Sequence, residues 1–155
     1  MFDRVLIREA TEADMDGILE IEREAIAPPW SHGALLGEIY REETFFAVAC
    51  PAGIDGTVGA GTLGFIILRK IGSEGELLQI AVDKAARRMG VGDALMAAGL
   101  GHADGNSVEA VHLEVRRSNE AAAALYEKHG FLAMRVRKGY YSDPVEDAMV
   151  MVRTL

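Results

Sequence analysis

Residues 76–92 read Glu-Leu-Leu-Gln-Ile-Ala-Val-Asp-Lys-Ala-Ala-Arg-Arg-Met-Gly-Val-Gly. Positions 76–82 are a mostly apolar run suited to a strand, and residues 83–92 break it with a basic cluster and two glycines. Beyond Gly90, the residues Val91, Ala94, Leu95 and Ala98 recur at helical spacing. The stretch predicts a strand, a short loop and a helix start. Glycine lets a backbone come close to a ligand, and the first N–H groups of a helix, with its dipole, point at an anion. Lys84, Arg87 and Arg88 make this spot basic in a chain of net charge −8. A pyrophosphate suits such a loop. A glycine-bearing helix start with solvated arginines has the same sequence appearance.

A second glycine run, Gly59-Ala60-Gly61-Thr62-Leu63-Gly64, matches the spacing of a dinucleotide fingerprint. That fingerprint must open a helix. Here Leu63–Leu68 continues as a continuous apolar run, which is a buried strand, so the match is set aside.

Working outward, Val5–Arg8 reads as a first strand, and Thr11 with the acidic Asp14 starts a helix. Met15, Ile18, Leu19, Glu22, Ala25 and Ile26 form its stripe, with Glu22 as the polar exception. Pro28-Pro29 ends that helix, and Ser31 caps a second running to about Glu43. Phe45–Ala49 is a strand, Pro51–Gly56 a turn-rich connection, and Val111–Arg116 alternates strictly. Ser118 is placed to cap a helix that ends near Gly130. Phe131–Val136 and Ala148–Val152 are the last strands, with Gly139–Pro144 between them. The order β-α-α-β-β-β-α-β-α-β-β predicts a mixed α+β domain and not a doubly wound sheet.

The 155 residues fit a single domain, 1–155. The acidity excludes general nucleic-acid binding, which needs a basic surface. Charges at positions 3, 4, 8 and 9 break up any signal-peptide core, and the longest apolar stretch, 59–68, is too short to span a bilayer. The lone Cys50 excludes an internal disulfide and a thiolate metal cluster, and His32, His102, His112 and His129 make no helical metal pair. The expectation is a cytoplasmic protein with no metal, no nucleic acid and no membrane partner.

The loop Arg87, Gly90, Gly92 fills the pattern Arg/Gln-x-x-Gly-x-Gly/Ala, and the whole chain resembles the GCN5-related N-acetyltransferases. Further segments bring it near that family's ribosomal-protein-alanine N-acetyltransferases: Pro29-Trp30-Ser31, Ile80-Ala81-Val82-Asp83, Leu113-Glu114-Val115-Arg116, Ser118-Asn119, Ala124-Leu125-Tyr126-Glu127, Gly130-Phe131, Tyr140-Tyr141 and Glu146-Asp147-Ala148. The resemblance implies a mixed, mostly antiparallel sheet splayed between two strands and flanked by about four helices. It implies acetyl-CoA as cosubstrate, held by Ile80, Ala81, Val82, Arg87, Arg88, Met89, Gly90, Val91, Gly92 and Asn119. The implied acceptor is the N-terminal α-amine of a protein, with a ribosomal protein as one candidate. Lysine or small-amine acetylation and a non-catalytic acetyl-CoA-binding subunit are the alternatives.

Attack of an amine on a thioester needs a neutral amine and a proton for the departing thiolate. An α-amine, with a pKa near ~8, is easier to deprotonate than a lysine near ~10.4. Glu114 is the candidate base, on the strand face opposite Val111, Leu113 and Val115; a glutamate paired with an arginine is its plain alternative. Tyr126 is the candidate acid, since a phenol keeps its proton at neutral pH; the alternative is a core tyrosine. Trp30, Tyr140 and Tyr141 fall in connections where the resemblance implies an acceptor slot. Gln79 stands where the family commonly has asparagine, and residues 142–144 replace a proline expected after the paired tyrosines, which bears on acceptor preference.

Overall fold

The structure is a computed structural model, and it describes residues 4–53, 55 and 57–155. Its strands are β1 (Arg4–Glu9), β2 (Thr44–Ala52), β3 (Gly64–Ile71), β4 (Glu74–Val82), β5 (Ala110–Arg116), β6 (Leu132–Tyr141) and β7 (Glu146–Thr154). Its helices are α1 (Met15–Ala25), α2 (His32–Tyr40), α3 (Val91–Gly105) and α4 (Glu120–Lys128), with single 3-10 turns before α1 and α3. The strands form one sheet in the order β1-β2-β3-β4-β5-β7-β6. All pairings are antiparallel except β4 with β5.

The alternation of each strand sorts its side chains between two cores. Ala47, Ile66, Leu77, Val111, Leu113 and Val115 face α3 and α4, where Leu95, Met96, Tyr126 and Phe131 cover them. Phe46, Val48, Cys50, Phe65 and Ile67 face Ile18, Ile21 and Leu35 of α1 and α2. Apolar residues on both faces explain why β2, β3 and β4 read as near-continuous hydrophobic runs.

Local signals account for the helix ends. The Thr11 N–H donates to Asp14 Oδ2 (2.8 Å), which starts the turn into α1, and Ala34 N–H donates to Ser31 Oγ (3.1 Å) at the start of α2. Four expectations need correction. α2 stops at Tyr40, not near Glu43. Pro51 and Ala52 belong to β2, where they pair with Val5 and Arg4 of the edge strand; proline is tolerated in a strand where its missing N–H leaves no ladder partner wanting. Asn119, not Ser118, caps α4, with Oδ1 accepting from Ala122 N–H (3.2 Å). The Ser118 N–H instead donates to Glu146 Oε2 (2.6 Å). Finally, β6 runs through Gly139 to Tyr141, so the paired tyrosines end a strand and do not lie in a connection.

Candidate active site

β4 carries a one-residue bulge. Ile67 pairs with Gln79 and Leu68 with Leu77, leaving Leu78 as the extra residue. A bulge reverses which face each later side chain takes. Leu77 packs towards α3, but Leu78 packs in the α1–α2 core and Gln79 bonds Glu22 of α1, so two successive residues take that side before Ile80 and Ala81 resume the alternation. β4 and β5 pair only at Glu74↔Ala110, Gly75↔Val111 and Glu76↔His112. Beyond that point the strands part, and the facing edges at 77–82 and 113–116 have no ladder between them. Ile80, Ala81 and Val82 pair on their other side with Ile66, Phe65 and Gly64. Their backbone edge is the wall of the opening cleft.

The basic loop closes one end of this cleft. Lys84–Ala86 makes a 3-10 turn, Arg88 (φ 64°) and Gly90 (φ 80°) take left-handed backbone, and α3 begins at Val91. Gly90 supplies no side-chain cap, so the first turn of α3 is left to whatever acceptor enters the loop. Nothing lies within 4 Å of where a Cβ on Gly90 would stand, so the space beside that glycine is open. These features fit a pyrophosphate. The electrostatics differ in one respect from the sequence reading: the Arg87 guanidinium donates to Glu24 Oε2 (2.6 Å) and to the Val82 carbonyl (3.2 Å). Arg87 therefore ties the loop to α1 and β4, and Arg88 and Met89 remain exposed beside it. Val91 is fully buried in the α3 core, and Gly92 faces Leu125 of α4. Asp93 joins the first turn of α3 to the end of α4 by bonds to Lys128 (2.9 Å) and His129 (2.8 Å). Those two partners, Lys128 first, hold its carboxyl below the usual carboxylate range.

Glu114 and Tyr126 flank the cleft from opposite sides of the sheet. Glu114 lies on the face of β5 away from Val111, Leu113 and Val115. Its Oε1 accepts from Arg137 Nη1 (2.7 Å) on β6, so the arginine partner foreseen as the plain alternative is present. Glu114 also lines a groove of about 280 Å³ with Glu74, Glu76, His112 and Arg135. Tyr126 lies on the other face, buried against Phe131. Burial and then Tyr141 push its phenol up to about 12. Tyr140 and Tyr141 come to the same place at the end of β6. The guanidinium of Arg137 sits 4.3 Å over the Tyr140 ring, and that of Arg116 lies 4.3 Å over the Tyr141 ring. The Glu114 carboxylate is the main cause that raises the Tyr140 phenol to about 12.

The cleft thus assembles Ile80–Val82, the loop at 87–92, Glu114, Tyr126, Tyr140 and Tyr141. Asn119 follows the end of β5, and its side-chain oxygen is occupied as the cap of α4. Trp30 is half-buried among the α1–α2 core residues. The sequence reading assigned no role to Arg137 or to Glu146, although Glu146 stands in one of the segments that carry the resemblance. Glu146 holds Arg116 (3.3 Å) and the Ser118 N–H (2.6 Å), fixing the end of β5 and the turn after it to β7. The alternation Arg135-Val136-Arg137 shows that Arg137 shares a face with Arg135, but only the β6–β7–β5 order brings it to Glu114. Among the described residues, no group of His, Cys, Asp and Glu is placed to hold a metal ion, and no helix is long and apolar enough to cross a membrane.

Known proteins resemble this chain in sequence and in fold. Residues 12–131 match the acetyltransferase (GNAT) family. The chain is 34% identical to an N-alpha-acetyltransferase of Sulfurisphaera tokodaii, over 96% of this chain and 92% of that one. It is 33% identical to the [ribosomal protein bS18]-alanine N-acetyltransferase of Escherichia coli K12, over 89% of each. The crystal structure of the Escherichia coli ribosomal-protein-S18-alanine N-acetyltransferase superposes with a TM-score of 0.84, covering 97% of this chain and 94% of that one.

Proposed function

The chain belongs to the acetyltransferase (GNAT) family and is an N-acetyltransferase, and from that premise we propose that it moves the acetyl group of acetyl-CoA directly to the N-terminal α-amine of a protein. The observation that carries this reading is the parting of β4 and β5 after Glu76↔His112, with the basic loop at the start of α3 at one end and Glu114 and Tyr126 on its two faces. The loop at 87–92 receives the pyrophosphate, and the exposed edge of Ile80–Val82 offers strand-like bonds to the pantetheine amides.

In the transfer, the amine nitrogen attacks the thioester carbonyl carbon and the C–S bond breaks. Glu114 takes the amine proton, directly or through water, from the α1–α2 side. Tyr126 gives its phenolic proton to the departing sulfur from the α3–α4 side, which its elevated pKa equips it to hold until then. Net proton flow runs from amine to thiolate. Tyr140 and Tyr141, stacked under Arg137 and Arg116, line the acceptor side.

The α-amine is favoured as acceptor because it is neutral more often than a lysine near pH 7, and the relatives named above are N-terminal acetyltransferases. A ribosomal protein is the first acceptor to test, and the cytoplasm is the compartment in which it would be met. Mass spectrometry of an N-terminal peptide panel incubated with acetyl-CoA tests the reading. Acetylation at the α-nitrogen is expected; modification confined to lysines or to small amines would replace the acceptor, and binding of acetyl-CoA without any transfer would replace the enzyme by a binding subunit.

A further inference from the structure

Among the described residues, three buried carboxyl groups lie on the α1–α2 side of the sheet, and two of them have cations and one, Glu22, does not. Asp14 is paired with Arg8, and Glu38 with Arg69 and Arg41. Glu22 is 0% exposed, on the apolar stripe of α1, where a hydrocarbon side chain would cost nothing to bury. Its Oε2 accepts from the Trp30 N–H (2.9 Å) and from Gln79 Nε2 (3.0 Å). Gln79 is the first residue past the bulge at Leu78. One oxygen therefore ties together α1, the Pro28–Trp30 connection and the start of the cleft wall. Among the described residues, two acceptors remain buried without a partner, Glu22 Oε1 and Gln79 Oε1. A proton carried on Glu22, or one water, supplies a donor to them, and burial raises the Glu22 pKa in the sense that favours the protonated form.

The cofactor loop opens α3 on one face of the sheet. The acceptor has the other face, where Glu114 lies and where the Pro28–Trp30 connection borders the α1–α2 core. We propose that Glu22 is a positioning residue for the acceptor: by holding the Trp30 N–H and the Gln79 amide with one oxygen, it locks the connection at 28–30 to the bulged segment of β4. The proposal rests on the acceptor entering from the α1–α2 face.

The experiment measures KM separately for acetyl-CoA and for the amine that the wild-type protein turns over fastest, whether a peptide N-terminus or a free amine. A wild-type preference for free amines would end the N-terminal reading and still leave this comparison intact. Glu22→Ala is expected to raise the acceptor KM about tenfold or more and the acetyl-CoA KM by less than about twofold, as for one or two lost buried hydrogen bonds confined to one side of the cleft. Glu22→Gln is expected to return the acceptor KM to within about threefold of wild type, because its amide oxygen can accept both bonds and its N–H can donate to Gln79 Oε1. Gln79→Leu cuts the β4 arm alone and leaves the Trp30 bond. It is expected to raise the acceptor KM selectively, and it decides the matter where Glu22→Ala fails to fold. Equal rises in both KM values, unchanged kinetics in a folded variant, or a Glu22→Gln protein as impaired as Glu22→Ala would each overturn the proposal.

Discussion

Glu114 and Arg137 form a pair whose carboxyl is only a quarter exposed, so the base candidate is oriented before any amine arrives. Removing its charge without its shape isolates its role. Glu114→Gln is expected to lower kcat by about 10²–10⁴, the usual span for a general base, while acetyl-CoA binding measured by calorimetry stays near wild type. Wild-type turnover across pH 6–9, a window chosen around the α-amine pKa of about 8, would remove Glu114 from the mechanism. Tyr126 makes the complementary case. Its phenol is raised to about 12 by burial and by Tyr141. The folded state therefore favours the neutral phenol. That contribution to stability is complete below the ordinary phenol pKa of about 10 and is lost as pH rises through about 12. Tyr126→Phe is expected to cut kcat by about 10² or more. The phenolate absorbance missing from its alkaline titration, relative to wild type, is expected to fall near 12. Missing absorbance near the free tyrosine value would mean that the phenol is solvated and badly placed to act as a retained acid.

At the scale of elements, the bulge in β4 does the most to shape the candidate site, and the cleft wall beyond it sits tightly on β3 at Gly64. A Cβ on Gly64 would stand 2.7 Å from the Ala81 carbonyl oxygen and 3.3 Å from the Val82 Cα, both main-chain atoms of the cleft wall. Gly64→Ala must push β4 or β3 aside. A loss of about 1–3 kcal/mol in urea unfolding is expected for such overpacking, together with a raised KM for acetyl-CoA. Unaltered stability and KM would show that the wall does not depend on this contact. Gly64 closes the glycine run that imitates a dinucleotide fingerprint, so that glycine has a packing reason, not a phosphate. The periodicity of the chain made most elements legible: among the described residues, four helices and seven strands stand in the expected order. The bulge was not legible, because Leu77-Leu78-Gln79-Ile80-Ala81 meets an apolar layer on both faces and gives no alternation to interrupt. Nor was the length of β6. Its last pairing, Tyr141↔Glu146, follows an irregularity after Arg137 and depends on β7. Ser118 and Asn119 are both good caps, and the choice between them fell to Glu146, which engages the Ser118 N–H. The candidate residues of the loop and of β5 were singled out by local pattern and family resemblance. Arg137 and the Glu22–Gln79 pair arise from contacts between elements distant in sequence.

For the molecule as a whole, the sheet is two parts joined at one end. β1–β4 and β5–β7 share three paired positions, and α3 with the core beneath it bridges the rest. A ligand lying in the cleft would bond to both facing edges and link the two parts. Its binding free energy then appears as stability: at a concentration one hundred times Kd, a single site contributes about 2.7 kcal/mol. For a domain of this size that corresponds to a rise in melting temperature on the order of 5–10 °C. Coenzyme A is expected to produce such a rise, and hydrogen exchange is expected to slow at 77–82 and 113–116 together with the loop at 87–92. The pattern matters more than the size of the shift. Protection at 87–92 alone would describe an anion held at a helix start, the plain reading of those glycines and arginines. Protection along both strand edges requires the ligand to run the length of the cleft, which brings its thiol end, where acetyl-CoA carries the thioester, between Glu114 and Tyr126.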